Sequence, residues 1–170
     1  ETMTTTDRRP DPTLDLTLDR VIRAPRSAVW DAWTDAASLQ QWWVPAPTTA
    51  RIDRLDVRAG GAFVTSMSDD GHTFVPHTDA IFLVAEPNER LVFTNAIDSA
   101  WRPAFPAPVA MTAEIVFAEH PEGTDYRVIV RHARPEDRDR HEELGFFDGW
   151  GSVTAALAAL SEARSAQASA

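Results

Sequence analysis

The chain contains neither cysteine nor lysine, and each absence removes a class of chemistry. Without cysteine there is no disulfide, no thiol nucleophile and no cysteine-rich zinc or iron–sulfur site, a composition that favours a reducing compartment such as the cytoplasm. All 16 basic residues are arginine, which excludes Schiff-base chemistry and a phosphate-loop lysine. The net charge of −10 disfavours nucleic acid and anionic membrane surfaces as partners, because both would repel the protein.

The sequence also lacks any apolar run long enough to cross a bilayer, and its start lacks the charged, apolar and small-residue blocks of a secretion signal. Its 170 residues fit one domain, which we predict to occupy residues 14–164. Residues 1–13 are polar and hold two prolines, and residues 165–170 contain only alanine, serine and glutamine, so both ends are predicted to be flexible tails. We therefore expect a cytoplasmic protein that does not bind membranes.

What the chain does have is a strong helical periodicity in its last third. Five large apolar residues recur at steps of four and three positions, which places them on one stripe of a helix that we predict from Pro135 to about Arg164. These residues are Phe146, Trp150, Val153, Leu157 and Leu160. Such a stripe must pack against an equally apolar surface, and the preceding strands are the only region able to provide one.

Alternation of apolar and polar residues predicts about seven strands before that helix. The clearest alternation runs from Val109 to Phe117, and its apolar face is predicted to line a cavity under the helix. Two short helices are predicted after the first strand, one beginning at Arg26 and one capped by Asp35. The predicted strands cover residues 14–22, 55–57, 62–68, 74–85, 90–95, 109–119 and 124–132. The chain is therefore predicted to be α+β, with the long helix packed over one curved antiparallel sheet.

Short patches of sequence at the predicted turns and helix ends carry a family resemblance, in an order and spacing that extend over residues 14 to about 164. They are Ala24-Pro25, Val29-Trp30, Gln41-Trp42-Trp43-Val44-Pro45, Asp56-Val57-Arg58-Ala59-Gly60-Gly61, Met67, Asp70-Gly71, Pro87-Asn88-Glu89-Arg90-Leu91-Val92-Phe93-Thr94, Gly123-Thr124 and Gly149-Trp150. The chain resembles the START and polyketide-cyclase (SRPBCC) superfamily, and within it the heat-shock protein 90 ATPase activator homologue-like family. The resemblance implies a helix-grip fold with a hydrophobic cavity under the last helix. It does not imply one activity, because one fold supports many functions.

One segment departs from the family pattern. Residues 101–108 form a proline-rich connection where a simple hairpin would be usual, and this loop is a candidate lid over the mouth of the cavity. The eukaryotic co-chaperone members carry an additional N-terminal domain that binds the chaperone. We find no room for such a domain in this sequence and therefore do not expect co-chaperone activity.

Tryptophan is the most conspicuous residue type, with six in the chain. Large aromatic side chains most often serve core packing, and that is one interpretation of all six. Trp43, Trp101 and Trp150 are the best candidates for ligand contacts, because two lie near predicted loop ends and the third lies on the helical stripe. An aromatic wall would suit a flat or apolar ligand.

His77 and Asp79 are the main polar candidates. They lie two positions apart on a predicted strand, so they could form a polar pair that orients a hydroxyl or carbonyl group, or that acts in acid–base catalysis. The alternative is that both face solvent on the outer side of the sheet. Arg102 in the proline-rich loop could bind a ligand carboxylate. The spacing of His72 and His77 fits no metal site, so no metal is expected.

The favoured function is the binding of a small apolar or aromatic molecule between the sheet and the last helix, without a cofactor. One alternative is a cofactor-independent enzyme, such as a cyclase, dehydratase or hydrolase, that acts in the same cavity. Another is a non-catalytic interaction protein, with a homodimer as one form. No nucleophile-elbow motif supports a hydrolase triad, and no catalytic residue is assigned. The candidate ligand-binding residues are Trp43, Met67, His77, Asp79, Trp101, Arg102, Met111, Phe146 and Trp150.

Overall fold

The computed structural model describes residues 6–170, so residues 1–5 of the predicted N-terminal tail lie outside the described part. Within it the chain forms seven strands and four helices. The strands are β1 (Asp15–Ile22), β2 (Thr49–Leu55), β3 (Ala62–Ser68), β4 (Val75–Glu86), β5 (Arg90–Thr94), β6 (Thr112–His120) and β7 (Gly123–Arg131). The helices are α1 (Arg26–Thr34), α2 (Ala36–Leu39), α3 (Pro135–Glu143) and α4 (Phe146–Ala168).

All seven strands belong to one antiparallel sheet in the order β1-β7-β6-β5-β4-β3-β2. From β2 to β7 each strand pairs with the next one along the chain, whereas β1 pairs with β7 at the far edge, from Asp15 opposite Arg131 to Ile22 opposite Thr124. The helices α1 and α2 make the connection between these two edges, and α4 packs against α1 and β1. The predicted α+β architecture, a long helix over one antiparallel sheet, is confirmed.

Two contacts join the supporting helices to their neighbours, and a third caps α2. Trp30 of α1 meets Phe117 of β6 edge-on, with ring centroids 5.6 Å apart. Arg164 of α4 donates to the Ser38 hydroxyl of α2 at 2.8 Å. The Asp35 side chain accepts the backbone N–H of Ser38 at 3.1 Å, which confirms the predicted cap of the second helix. The helical layer is therefore joined both to the sheet and to the long helix.

The predicted C-terminal helix is two helices. Gly145 lies between α3 and α4 with φ of +96°, a left-handed backbone conformation that glycine adopts at little cost and that ends a helix. Beyond this break α4 runs for 23 residues to Ala168, so residues 165–168 of the predicted tail extend the helix. Alanine, the strongest helix former, is frequent in this stretch. No helix in residues 6–170 is long and apolar enough to span a membrane.

The apolar stripe of α4 packs as predicted along most of its length. Phe146, Val153 and Leu157 are buried, while Trp150 and Leu160 are half-buried. These side chains meet a sheet whose inner face is largely aromatic, with the Phe residues of β3, β4, β5 and β6 all buried. Because Trp150 is only half-buried, part of its ring remains accessible.

The second and sixth strands differ most from the predicted ranges. The second strand runs from Thr49 to Leu55 rather than over residues 55–57, and it ends there because Asp56 begins a tight turn in which its N–H donates to Ala62 O at 2.9 Å. The sixth strand begins at Thr112, so Val109 and Met111 precede it. The inner face of this strand is consequently shorter than the alternation indicated.

Candidate functional site

An open pocket of about 680 Å³ lies between the first turns of α4, residues 76–79 of β4 and the segment that joins β5 to β6. Its apolar lining includes Trp43, Phe93, Trp150 and Val153, and the joining segment contributes residues 104–109. Polar side chains reach its edge from β4, α3 and the joining segment. In residues 6–170 no group of three or more histidine or acidic side chains could hold a metal ion.

Trp43 forms the centre of the apolar wall. Its ring centroid lies 5.1 Å from that of Phe63 on the core side and 6.3 Å from that of Trp150 on the helix side. The indole N–H donates to the Thr78 hydroxyl at 3.4 Å, which fixes the ring against β4. Trp43 is only 7% exposed, so it presents one edge to the pocket and otherwise belongs to the core.

His77 reaches the pocket because of a β-bulge. Thr65 of β3 pairs with Thr78 of β4, but the next residue of β3, Ser66, pairs with Pro76, so His77 is an extra residue in β4. Its Nδ1 atom lies 3.2 Å from the Thr65 hydroxyl. Water reaches the ring through the open pocket, yet the surrounding protein disfavours the charged form, and this burial lowers the pKa of His77 below its ordinary value. The ring is therefore mostly neutral at pH 7.

Asp79 has a different partner from the one predicted. Its Oδ1 atom accepts the backbone N–H of Ser99 at 2.8 Å. Among the described residues no hydrogen bond joins Asp79 to His77, because the bulge interrupts the alternation on which the predicted pair depended. Asp79 instead fastens the segment between β5 and β6 to β4.

That segment is also tied together at its two ends. The Asn95 side chain donates to Val109 O at 3.2 Å and accepts the N–H of Met111 at 2.8 Å. The Asp98 carboxylate accepts the N–H of Arg102 at 3.0 Å. Two polar side chains at the pocket edge, Asn95 and Asp98, are thus used to shape the segment.

Trp101 and Arg102 lie outside the pocket lining. The Trp101 indole N–H donates to Gly60 O at 2.9 Å, and the side chain is 69% exposed. Arg102 is exposed beside it. The part of the proline-rich loop that does reach the pocket is residues 104–108, where Phe105 is 100% exposed. The lid stays a prediction, and these are the residues that would form it.

The structure brings six of the nine candidate residues to the pocket. They are Trp43, Met67, His77, Asp79, Met111 and Trp150. The ninth candidate, Phe146, is 2% exposed and lies behind the wall, with its ring centroid 5.9 Å from that of Trp150. It supports the pocket without facing it.

A pair of histidines at the pocket edge was missed by the sequence analysis. His132 Nε2 lies 2.8 Å from His141 Nδ1, and His141 lines the pocket while His132 is 7% exposed. His132 directly follows β7, and His141 belongs to α3, whose charged residues predict a solvated helix. No local pattern marks this contact, because it depends on how α3 docks at the end of the sheet.

The environment of His141 predicts acid sensitivity. Burial and the neighbouring His132 lower the pKa of His141 from 6.5 to about 4. The unfolded chain takes up this proton near the ordinary pKa and the folded chain only near the lowered one, so the free energy of unfolding should fall as pH decreases through that window. Urea unfolding measures this free energy at neutral pH and at a pH midway through the window. Between these two pH values, the free energy of unfolding should decrease less in His141→Gln than in the unmodified protein. Equal losses would contradict this assignment.

The arrangement of these elements defines the class of protein. One antiparallel sheet, two short helices after the first strand and a long C-terminal helix packed over the sheet form the helix-grip fold of the SRPBCC superfamily. Within that superfamily, the chain belongs to the family of activator of Hsp90 ATPase homolog 1-like proteins, whose model matches residues 23–162. The resemblance identified from the sequence patches is thereby confirmed.

Solved structures show the same relationship. A protein from Nitrosomonas europaea is 35% identical, with a TM-score of 0.80 over 92% of this chain and 99% of that one. The AHSA1-like protein from Aeromonas hydrophila is 21% identical, with a TM-score of 0.65 over 89% and 94% of the two chains. A protein from Mycobacterium smegmatis is 21% identical, with a TM-score of 0.69 over 93% and 94%. The latter two share the fold alone, and no protein of curated function matches this chain.

Proposed function

We propose that this protein binds a small apolar or aromatic molecule in the pocket beside Trp43 and Trp150. The observation that carries the proposal is a space of about 680 Å³ set against an aromatic wall, with a few polar groups at its edge. Pockets for small ligands typically enclose about 300–1,000 Å³ and have this kind of lining. The absence of cysteine from the chain supports a cytoplasmic setting.

The charges around the pocket favour a neutral ligand. The described lining contains Asp79 and Asp98 but no arginine, and the chain has no lysine. An anionic ligand would meet two carboxylates and lose its hydration without a countercharge, which is costly. Arg102 lies outside the lining, so the carboxylate contact considered from the sequence is not part of this proposal.

A side chain added at Gly149 should obstruct the pocket. Gly149 lies in the first turn of α4 and lines the pocket, and a Cβ at this position would meet no other atom within 4 Å. We expect Gly149→Leu to weaken binding of the neutral dye Nile red about tenfold or more, because placing atoms in an occupied space costs about 1–3 kcal/mol. Titration followed by dye fluorescence and tryptophan emission measures this change.

Gly151→Leu is the matched control. Gly151 is also half-buried in α4, and a Cβ added there would likewise meet no atom within 4 Å, but this residue does not line the pocket. The variant should bind Nile red as the unmodified protein does. If both substitutions weaken binding equally, or if the unmodified protein binds no neutral aromatic dye, the pocket is not a ligand site.

The enzyme alternative has less support than binding, since it depended on His77, Asp79 or Arg102 acting within the pocket, and Arg102 lies outside the lining. The Asp79 carboxylate accepts from Ser99, and the His77 imidazole lies beside hydroxyl groups instead.

The interaction-protein alternative and its homodimer stay predictions. Phe105 and Phe147 are exposed, and a partner would be sought first at these side chains.

A further inference from the structure

The contact between His132 and His141 defines the protonation of both rings. His132 Nδ1 lies 2.8 Å from the backbone oxygen of Leu14. A carbonyl oxygen only accepts hydrogen bonds, so Nδ1 of His132 carries the proton and Nε2 of the neutral ring is an acceptor. That Nε2 lies 2.8 Å from His141 Nδ1, which must therefore donate. In the neutral pair, Nε2 of His141 is left unprotonated, with a free lone pair.

The unprotonated nitrogen belongs to the part of His141 that remains accessible. Nε2 of His141 has no hydrogen-bond partner in residues 6–170. The atom is not fully buried. The residue is half-buried and lines the pocket, and its ring packs edge-on against Phe146 with centroids 5.1 Å apart. The series from Leu14 through His132 to His141 thus leaves an accessible hydrogen-bond acceptor without a partner on a residue that lines the pocket, whereas the Asp79 and Asp98 carboxylates of the same lining already accept backbone N–H groups.

We propose that the ligand of this pocket carries a hydroxyl or phenol group that donates a hydrogen bond to Nε2 of His141, with His132 as the positioning residue. This inference rests on the proposed function and narrows its ligand class to aromatic or apolar molecules with one hydrogen-bond donor. The lowered pKa of His141 agrees with it, because the ring stays neutral at pH 7. His77 indicates less about the ligand. The Thr65 and Thr78 hydroxyls beside its Nδ1 atom can each donate or accept, so these contacts do not define which nitrogen of the His77 ring is protonated.

Two probes that share the naphthalene ring, and in which a methyl group replaces the donated proton of one, test this inference. They are 2-naphthol and its methyl ether, 2-methoxynaphthalene, each titrated calorimetrically into the full chain. The unmodified protein should bind the naphthol about three- to tenfold more tightly, the usual net effect of one hydrogen bond. His141→Phe keeps an aromatic ring but removes the acceptor, so the ratio of affinities should fall to about one. His72→Phe, in an exposed turn outside the pocket, is the matched control and should keep the preference.

The positioning role of His132 has its own readout. His132→Phe removes the atom that accepts from His141 Nδ1, so His141 should become a mixture of tautomers and the preference for the naphthol should decrease. In His132→Gln the amide oxygen can accept in place of Nε2. This variant should restore the single tautomer of His141 and the preference for the naphthol. Side-chain ¹⁵N NMR of the ligand-free protein at alkaline pH reports the tautomer directly, independently of any probe.

The outcomes separate the two proposals. Equal binding of both probes by the unmodified protein would overturn the hydrogen bond and leave the pocket as a ligand site. Binding of neither probe would overturn the proposed function together with this inference. A proton on Nε2 of His141 in the ligand-free protein would overturn the inference whatever the probes do.

Discussion

Replacing Trp33 by alanine should destabilise the protein by about 5 kcal/mol, since truncation of a buried tryptophan and loss of its hydrogen bond act together. Trp33 has no exposed surface, and its ring lies against Trp42 and Trp43 with centroids 4.8 and 5.3 Å away. Its indole N–H donates to the Tyr126 hydroxyl at 3.0 Å. The variant would open a cavity in the aromatic core and leave that buried hydroxyl without its partner. Urea unfolding followed by tryptophan emission measures the loss.

Milder variants keep the test informative if Trp33→Ala does not fold, since a whole domain is stable by only about 5–15 kcal/mol. Trp33→Phe retains a large ring and removes the donor, and Tyr126→Phe removes the acceptor, so each should cost about 1–3 kcal/mol. Burial raises the pKa of Tyr126, so its hydroxyl stays protonated and paired at every ordinary pH. The double variant should cost less than the sum of the two single variants. Strict additivity would show that the hydrogen bond contributes nothing.

The Trp33 cluster also connects stability to the pocket. Trp43 lies between Trp33 on the core side and Trp150 on the pocket side, with centroids 5.3 and 6.3 Å away. The wall offered to a ligand is therefore the outer layer of the same aromatic core that stabilises the fold. A rigid wall loses little conformational entropy when a ligand binds, which favours affinity.

The sheet and the long helix could be predicted because both have periodic signals in the sequence. Alternation identified most of the strands, and the steps of four and three residues identified the buried side of α4. The structure explains why the glycine pair Gly60-Gly61 marks a turn. A Cβ on Gly61 would come within 1.9 Å of Asp56 O, so no other residue fits this turn.

The parts of the site that could not be predicted depend on single residues or on distant contacts. The bulge at His77 shifts one side chain within β4 and leaves no trace in the alternation around it. Gly145 divides a helix whose propensity signal continues on both sides. His132 and His141 meet only because α3 docks at the end of the sheet. The orientation of Trp101 requires the bare backbone of Gly60, a residue far away in the sequence.

Gly123→Ala should destabilise the protein by more than about 4 kcal/mol, which places it among the exceptional single substitutions. Gly123 begins β7 with φ of +145°, a conformation that side chains disfavour. A Cβ there would lie 2.3 Å from Ile22 O and 2.7 Å from Ala24 N, at the end of β1. These are backbone atoms, and the adjacent pairing of Ile22 with Thr124 keeps them from moving aside. Relief of the clash would separate β1 from β7 at this end and expose the core beneath.

Gly71→Ala is the control that separates the effect of contact with β1 from the effect of a positive φ. Gly71 also has a positive φ, +79°, but a Cβ at this turn would meet nothing within 4 Å. This variant should lose only about 1–2 kcal/mol, the cost of the left-handed conformation itself. Thermal and urea unfolding of both variants give the difference, and hydrogen exchange should locate the damage in Gly123→Ala at the paired ends of β1 and β7. Similar losses for the two variants would mean that backbone conformation, and not contact with β1, determines the need for glycine at residue 123.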